Sequence, residues 1–132
     1  MSCNNLQQSL IPVTDIMTTA LISVNPRTTA FQIAKMMEHG GIGAIIVKEN
    51  TIPVGVITAR DFATKIVANN LPFDTPAKKI MSSPLITVDH SETVYSTVKM
   101  MNDKKIRKII VSEKGKIVGL VASTDLVNQL TK

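Results

Sequence analysis

The sequence predicts an α+β fold made of two β-α-β-β-α repeats packed with pseudo-two-fold symmetry. Three observations predict it. Displacing the 132-residue chain on itself by 64 positions aligns Ile16–Ile66 with Ile80–Leu130, without a gap and with about seventeen identities. Within each copy the apolar residues alternate between helical spacing and short continuous runs. A unit of roughly fifty residues also cannot cover both faces of a three-stranded sheet, so the repeat needs its pair.

The first repeat is assigned to residues 13–70, a linker to 71–76 and the second repeat to 77–132. Residues 1–12 read as a flexible lead-in. Their polar character, with neither a basic start nor an apolar stretch, is unlike a secretory signal. The first repeat opens on an extended piece, Leu21–Val24, which Asn25-Pro26 ends because proline biases its predecessor away from helix. Thr28 or Thr29 can cap the helix that follows. Ala30, Phe31, Ile33, Ala34 and Met37 make its apolar face, and Gly40-Gly41 stops it. In the second repeat Ser91 is the expected cap, and Val94, Tyr95, Val98 and Met101 make the face.

Two hairpins come next, Ala44–Val47 with Val54–Thr58, and Ile109–Val111 with Ile117–Ala122, each around a polar turn. A closing helix from Arg60 to Asn69 is expected to turn Phe62, Ile66 and Val67 inward, with Leu126, Val127 and Leu130 as its counterparts. Leu71-Pro72-Phe73-Asp74-Thr75-Pro76 reads as the linker because of its two prolines.

The composition, 44% apolar and 19% charged, is that of a folded globular protein. No apolar run reaches the roughly 20 residues that span a bilayer, so no membrane partner is expected. Cys3 is the single cysteine and cannot form an internal disulfide. With no secretory signal, this points to the cytoplasm. The net charge of +5 falls mostly in the second repeat, yet one Tyr, three Phe and no Trp leave little on which single-stranded bases could stack. His39 and His90 stand apart without partners at metal-ligand spacing, and Cys3 has no base beside it. The expectation is a protein that is not an enzyme, with no catalytic residue, no metal site and no catalytic cofactor.

The most informative stretch is Gly55-Val56-Ile57-Thr58-Ala59-Arg60-Asp61, repeated as Gly119-Leu120-Val121-Ala122-Ser123-Thr124-Asp125. Each copy reads as a strand that turns into a helix within two residues, leaving a carboxylate near the helix start. Free N–H groups there attract phosphate, and a carboxylate can accept two hydrogen bonds from a ribose diol. The same residues have plainer readings. Thr58-x-x-Asp61 is also a capping box, and the glycines could mark bulges or leave room for a flat base. Arg107 and Lys108, in a basic run, could be a solvated turn or a phosphate contact. The doubled methionines, Met36-Met37 and Met100-Met101, suit a core on one side and an interface on the other.

The chain resembles tandem CBS (cystathionine β-synthase type) domains, a pair of which is called a Bateman module. The resemblance rests on the I-M-x-x-x-L-I-x-V opening of each repeat, the G-h-h-x-x-x-D close, where h is apolar, and the element order, and it covers nearly the whole chain from Val13. It implies binding of AMP, ADP, ATP or S-adenosylmethionine between the repeats, AMP being the leading candidate, together with regulation of a protein partner and a homodimer formed through helices. Carried onto this chain, the first cleft would use Asp61 for ribose, Thr58 and Arg60 beside it, and Ile80, Met81, Ser82, Pro84 and Ile86 around adenine. Ile106, Arg107 and Lys108 would lie toward the phosphate. The second would use Asp125 and Ser123 with Ile16, Met17, Thr18, Ala20, Ile22, Gly43 and Ala44. Ala122 stands there in place of Thr58, and Gly43-Ala44 in place of Arg107-Lys108, so this cleft is expected to be empty, weak or suited to a less charged nucleoside. The alternative function is nucleic-acid binding by the basic second repeat, recognisable by steep salt dependence.

Overall fold

A computed structural model describes residues 10–125. The chain forms two compact units, one from residues 21–85 and the other from residues up to Ala20 together with those from Ile86 onward. Each holds a three-stranded sheet, and the whole is mixed α and β.

In the 21–85 unit, β1 (Ser23–Val24) pairs parallel to β2 (Ala44–Glu49), and β2 pairs antiparallel to β3 (Ile52–Thr58). Helix α1 (Ala30–Gly40) makes the crossover that a parallel pair requires. Of the two candidate caps it is Thr29 that closes the capping box. Its Oγ1 accepts from Gln32 N at 3.2 Å, and its N donates to Gln32 Oε1 at 3.0 Å. At the other end Gly41 adopts φ 60°, and its N–H reaches Met37 O.

Ala30 and Ile33 are buried with Ile45, Val47, Ile57, Ile66, Ala77 and Ile80 in this unit's core, and Met37 packs against it. Phe31 and Ala34, expected on the same face, are exposed instead. Successive helical positions lie roughly 100° apart, so Phe31 sits well round the flank from Ala30. The closing helix is α2 (Ala59–Asp61), which widens at once into a π-helical stretch, Phe62–Val67. That widening shifts the inward stripe: Ile66 is buried and Phe62 half-buried, but Val67, expected inward, is 75% exposed. A short helix unforeseen from the sequence, α3 (Ala77–Ile80), follows.

In the other unit, β4 (Thr87–Asp89) runs parallel to β5 (Lys108–Glu113), which pairs antiparallel with β6 (Lys116–Ala122). Its helix α4 (Val94–Lys104) is capped by Thr93, whose Oγ1 accepts from Ser96 N at 3.2 Å. Ser91, the expected cap, is two residues too early and donates to the Asp89 carboxylate instead. Those bonds hold the Asp89 carboxyl below its ordinary range. Thr97 and Met101 are buried in α4, whereas Tyr95 and Val98, expected inward, are exposed. Thr97 stands where the first repeat has Ile33. Its hydroxyl is satisfied by Thr93 O at 2.8 Å, which is how a polar side chain sits in that place. Leu126, Val127 and Leu130, the predicted inward residues of the last helix, lie outside the described residues.

Both hairpins extend beyond the expected strands and turn over two residues of positive φ, Asn50-Thr51 and Lys114-Gly115, as tight turns between twisted strands require. In each, the register slips next to the glycine. Val47 faces Gly55 and Lys48 faces Pro53, which leaves Val54 as the extra residue of a bulge, and Val118 is extra in the same way beside Gly119.

The compact units cut across the sequence repeats, because the opening segment of each repeat docks on the sheet of the other. In the 21–85 unit the segment from the linker to Ser82 serves. Ala30 N donates to Thr75 O at 2.8 Å and Phe31 N to Phe73 O at 2.9 Å, so two otherwise unpaired N–H groups at the start of α1 are satisfied. Ala77 N donates to Thr28 O, and Val56 exchanges backbone hydrogen bonds with Ser82. The second unit repeats the arrangement with residues 11–18. Val94 N donates to Ile11 O at 2.7 Å, Val13 N to Glu92 O at 2.9 Å, and Thr18 exchanges two bonds with Leu120. Ile11 and Pro12, read from sequence as the end of the lead-in, are thus tied to the start of α4, whereas residues 1–9 lie outside the described ones.

Candidate functional site

Thr58 ends β3, and Asp61 lies in the first helical turn after it. The Asp61 carboxylate is 8% exposed and fully engaged. Its Oδ2 accepts from Thr58 N at 2.8 Å and from Thr58 Oγ1 at 3.3 Å, and its Oδ1 accepts from Ser82 Oγ at 3.2 Å and forms an ion pair with Lys65 Nζ at 3.1 Å. An ionised carboxyl offers about four acceptor positions, and all are used, two by nitrogens and two by hydroxyls. Lys65 Nζ also donates to Ile80 O at 2.9 Å and Met81 O at 3.2 Å. A buried charge is tolerated when paired and hydrogen-bonded in this way.

The structure therefore gathers Thr58, Asp61, Ile80, Met81 and Ser82 within one unit. Ile80 is fully buried in its core. Met81 lies across Gly55, where a Cβ would meet its Sδ at 2.5 Å and Cγ at 2.8 Å. The missing side chain at Gly55 thus makes room for Met81. Arg60 points outward with its carbonyl accepting from Thr64 Oγ1, and Pro84 is exposed after a cis peptide bond. Ile86, Ile106, Arg107 and Lys108 belong to the other unit. There Ile86 O accepts from Ile110 N, Ile106 packs against the core, Arg107 O accepts from Ser123 N at 2.8 Å, and Lys108 opens β5.

Of the second predicted set, Ile16, Met17, Thr18, Ala20, Ser123 and Asp125 lie in the 86–125 unit with its docked segment, and Ile22, Gly43 and Ala44 in the 21–85 unit. Asp125 Oδ2 accepts from Ala122 N at 2.8 Å, the same bond that Asp61 makes to Thr58 N. Met17 repeats the packing of Met81, with its Sδ and Cγ filling the space that a Cβ on Gly119 would need. Ile22 O accepts from Ile46 N, and Ala44 pairs with Thr58 at the end of the sheet.

Lys65 escaped sequence reasoning, although its signal was present. Asp61 and Lys65 are four apart on a predicted helix, the spacing at which opposite charges meet. A shallow hollow of about 770 Å³ in the 21–85 unit is lined by Arg27, Gln32, Lys48 and neighbours, and none of the predicted residues borders it. Among the described residues no cluster of side chains suits a metal ion, and no helix is long and apolar enough to cross a membrane.

The chain is 42% identical over 110 residues to an uncharacterised protein of Methanopyrus kandleri, an alignment covering 81% of this chain but only 56% of that relative. It is 32% identical over 120 residues to the CBS domain-containing protein YhcV of Bacillus subtilis, covering 90% of this chain and 86% of YhcV. Among solved structures, an uncharacterised conserved protein from Pyrococcus horikoshii superposes with a TM-score of 0.88 at 27% identity, covering 94% of this chain and 95% of that one. The CBS domain model matches residues 13–68 and again 77–132. Such tandem pairs are commonly regulatory ligand-binding modules. With two matches that together take in most of its length, and a strand-to-helix corner ending in an acid in each, the chain belongs to the CBS-domain family as a tandem pair.

Proposed function

We propose that this protein is a non-catalytic regulatory module of the cytoplasm that binds an adenine nucleotide, AMP first among the candidates. The observation that carries the reading is the Asp61 carboxylate, buried at the strand-to-helix corner with its orientation set by Thr58 N and Lys65 Nζ and with two hydroxyls on its other positions. A ribose diol supplies two hydroxyls of the same kind. Met81, half-buried over Gly55 beside the carboxylate, supplies apolar surface for a base, and Ser82 lies exposed next to it. Arg107 and Lys108 are assigned to the phosphate. Asp125, with Ala122 in place of the threonine, marks a weaker second site.

Calorimetric titration of the whole chain with AMP, ADP, ATP and S-adenosylmethionine tests this. Binding of at least one below millimolar is expected, with a loss of about tenfold or more in Asp61→Ala, since a hydrogen bond to a charged group contributes about 1.5–3 kcal/mol. No binding by the wild type would remove the reading. Arg107→Ala tests the phosphate assignment, because it should weaken AMP and leave adenosine unchanged.

The outward helix faces support self-association. Phe31 and Tyr95 occupy matching positions in the repeats and are 56% and 60% exposed. A homodimer formed through α1 and α4 would bury them, and ligand binding would act on a protein partner through that dimer.

A further inference from the structure

The four donors on Asp61 divide by kind. Thr58 N and Lys65 Nζ are nitrogens, one on each carboxylate oxygen, whereas Thr58 Oγ1 and Ser82 Oγ are hydroxyls at the longer distances of 3.3 and 3.2 Å, also one on each. A backbone N–H cannot turn away from its acceptor without moving the strand. The lysine is nearly as fixed. An ammonium has three N–H donors; Lys65 Nζ donates to Ile80 O, Met81 O and, at 3.5 Å, Ser82 Oγ, and stands 3.1 Å from Asp61 Oδ1 as its ion-pair partner, so that it spans from the closing helix to the docked segment. Hydroxyls, by contrast, rotate freely about their C–O bonds and both accept and donate. They are the two contacts that a ligand can replace.

We propose that Lys65 is the positioning residue of the nucleotide site: it holds Asp61 Oδ1 against the 80–82 segment, so that a ribose diol displaces the Thr58 and Ser82 hydroxyls one for one while both nitrogens stay. This rests on the reading of Asp61 as the ribose acceptor. Lys65 touches no ligand in this scheme and acts through Asp61. The second repeat carries Gln129 at the matching position, with no charge to offer, which adds a second difference between the repeats to the replacement of Thr58 by Ala122.

The test is AMP titration of the full chain in wild type, Lys65→Gln, Lys65→Arg, Asp61→Asn and the Asp61→Asn/Lys65→Gln double variant, with thermal unfolding of each. Lys65→Gln is expected to weaken AMP about tenfold. Lys65→Arg should lose less, about three- to fivefold, because it keeps the charge but cannot converge on three acceptors as an ammonium does. The double variant should bind no more weakly than Asp61→Asn, since a residue acting through Asp61 has nothing left to position. A purely structural lysine would lower the melting temperature and give additive losses. Wild-type affinity in Lys65→Gln, or full additivity in the double variant, overturns the proposal and leaves the Asp61 reading intact. A wild type that binds no adenine compound overturns both. Should Lys65→Gln not fold, an unchanged affinity in Lys65→Arg overturns it alone.

Discussion

Met81 lies so close over Gly55 that a methyl group at the glycine would sit 2.5 Å from the sulfur, 2.8 Å from Cγ and 3.0 Å from Cβ. Because the contact includes the stem of the methionine as well as its end, rotating the side chain does not relieve it. Gly55→Ala is therefore expected to destabilise by about 1–3 kcal/mol, the usual cost of overfilling a packed place. Gly119→Ala should cost about as much, given the matching distances to Met17. Urea unfolding of the two variants checks this. A midpoint unchanged in either would mean that the methionine moves freely.

Capping and ligand binding make different demands on Thr58 and Asp61. Thr58→Ala removes a long hydroxyl contact of 3.3 Å together with the side-chain half of the capping box that Thr58 and Asp61 close, and the second repeat already has Ala122 there while keeping the bond from its N to Asp125. Its stability cost should stay within about 0.5 kcal/mol, at the low end for a cap. Asp61→Ala takes the acceptor from Thr58 N and should cost about 1–3 kcal/mol. If Thr58→Ala nevertheless weakens AMP several-fold in calorimetry, the hydroxyl serves the ligand. If it leaves affinity alone and lowers stability instead, the threonine is a cap.

For α4 the cap is Thr93, and Ser91 belongs to the turn before it. Thr93→Ala is expected to destabilise by about 1 kcal/mol, and Ser91→Ala by less, since its bonds go to an exposed carboxylate. Acid should expose the difference. Ser91 lowers the Asp89 pKa, so the bond contributes where Asp89 is ionised in both states, above the ordinary carboxyl pKa of about 4. The contribution is lost as pH falls through the lowered value. Chemical unfolding of Ser91→Ala and wild type should therefore converge at low pH, whereas Thr93→Ala should remain weaker throughout.

Replacing Phe31 and Tyr95 by Ser should shift sedimentation toward monomer without loss of stability in the monomer, because both side chains are more than half exposed on α1 and α4. Each large aromatic buried at an interface is worth about 1.5–3 kcal/mol, and a two-fold contact counts it twice. An unchanged sedimentation coefficient would remove the proposed homodimer through α1 and α4.

The repeat, its strands and its helices were legible because periodicity records which residues face a core. Ile33, Ile45, Val47 and Ile66 are buried as that pattern predicts. The same pattern misled at Phe31, Tyr95 and Val98, since hydropathy counts an apolar side chain alike whether it is buried or exposed, and much of any folded surface is apolar. Val67 failed for another reason: the switch from α to π geometry after Asp61 leaves no mark in a hydropathy pattern. At the site, Thr58 and Asp61 could be paired because they are three apart in one turn. Lys65 could be placed near Asp61 by the same logic, but its bonds to Ile80 O and Met81 O join segments fifteen and sixteen residues apart through backbone atoms. Every residue type carries those atoms, so no motif betrays them.

The docking of each opening segment on the other repeat's sheet also sets a schedule for the nascent chain. Every partner that residues 21–85 need for their own sheet has been synthesised once Leu85 has left the ribosome. Thr18 must wait for Leu120, about a hundred positions later, before its backbone finds its partner. Closing so long a loop slows folding more than it weakens the product. The middle of the chain should accordingly acquire protection from hydrogen exchange first, and the N-terminal segment last, although it is made first.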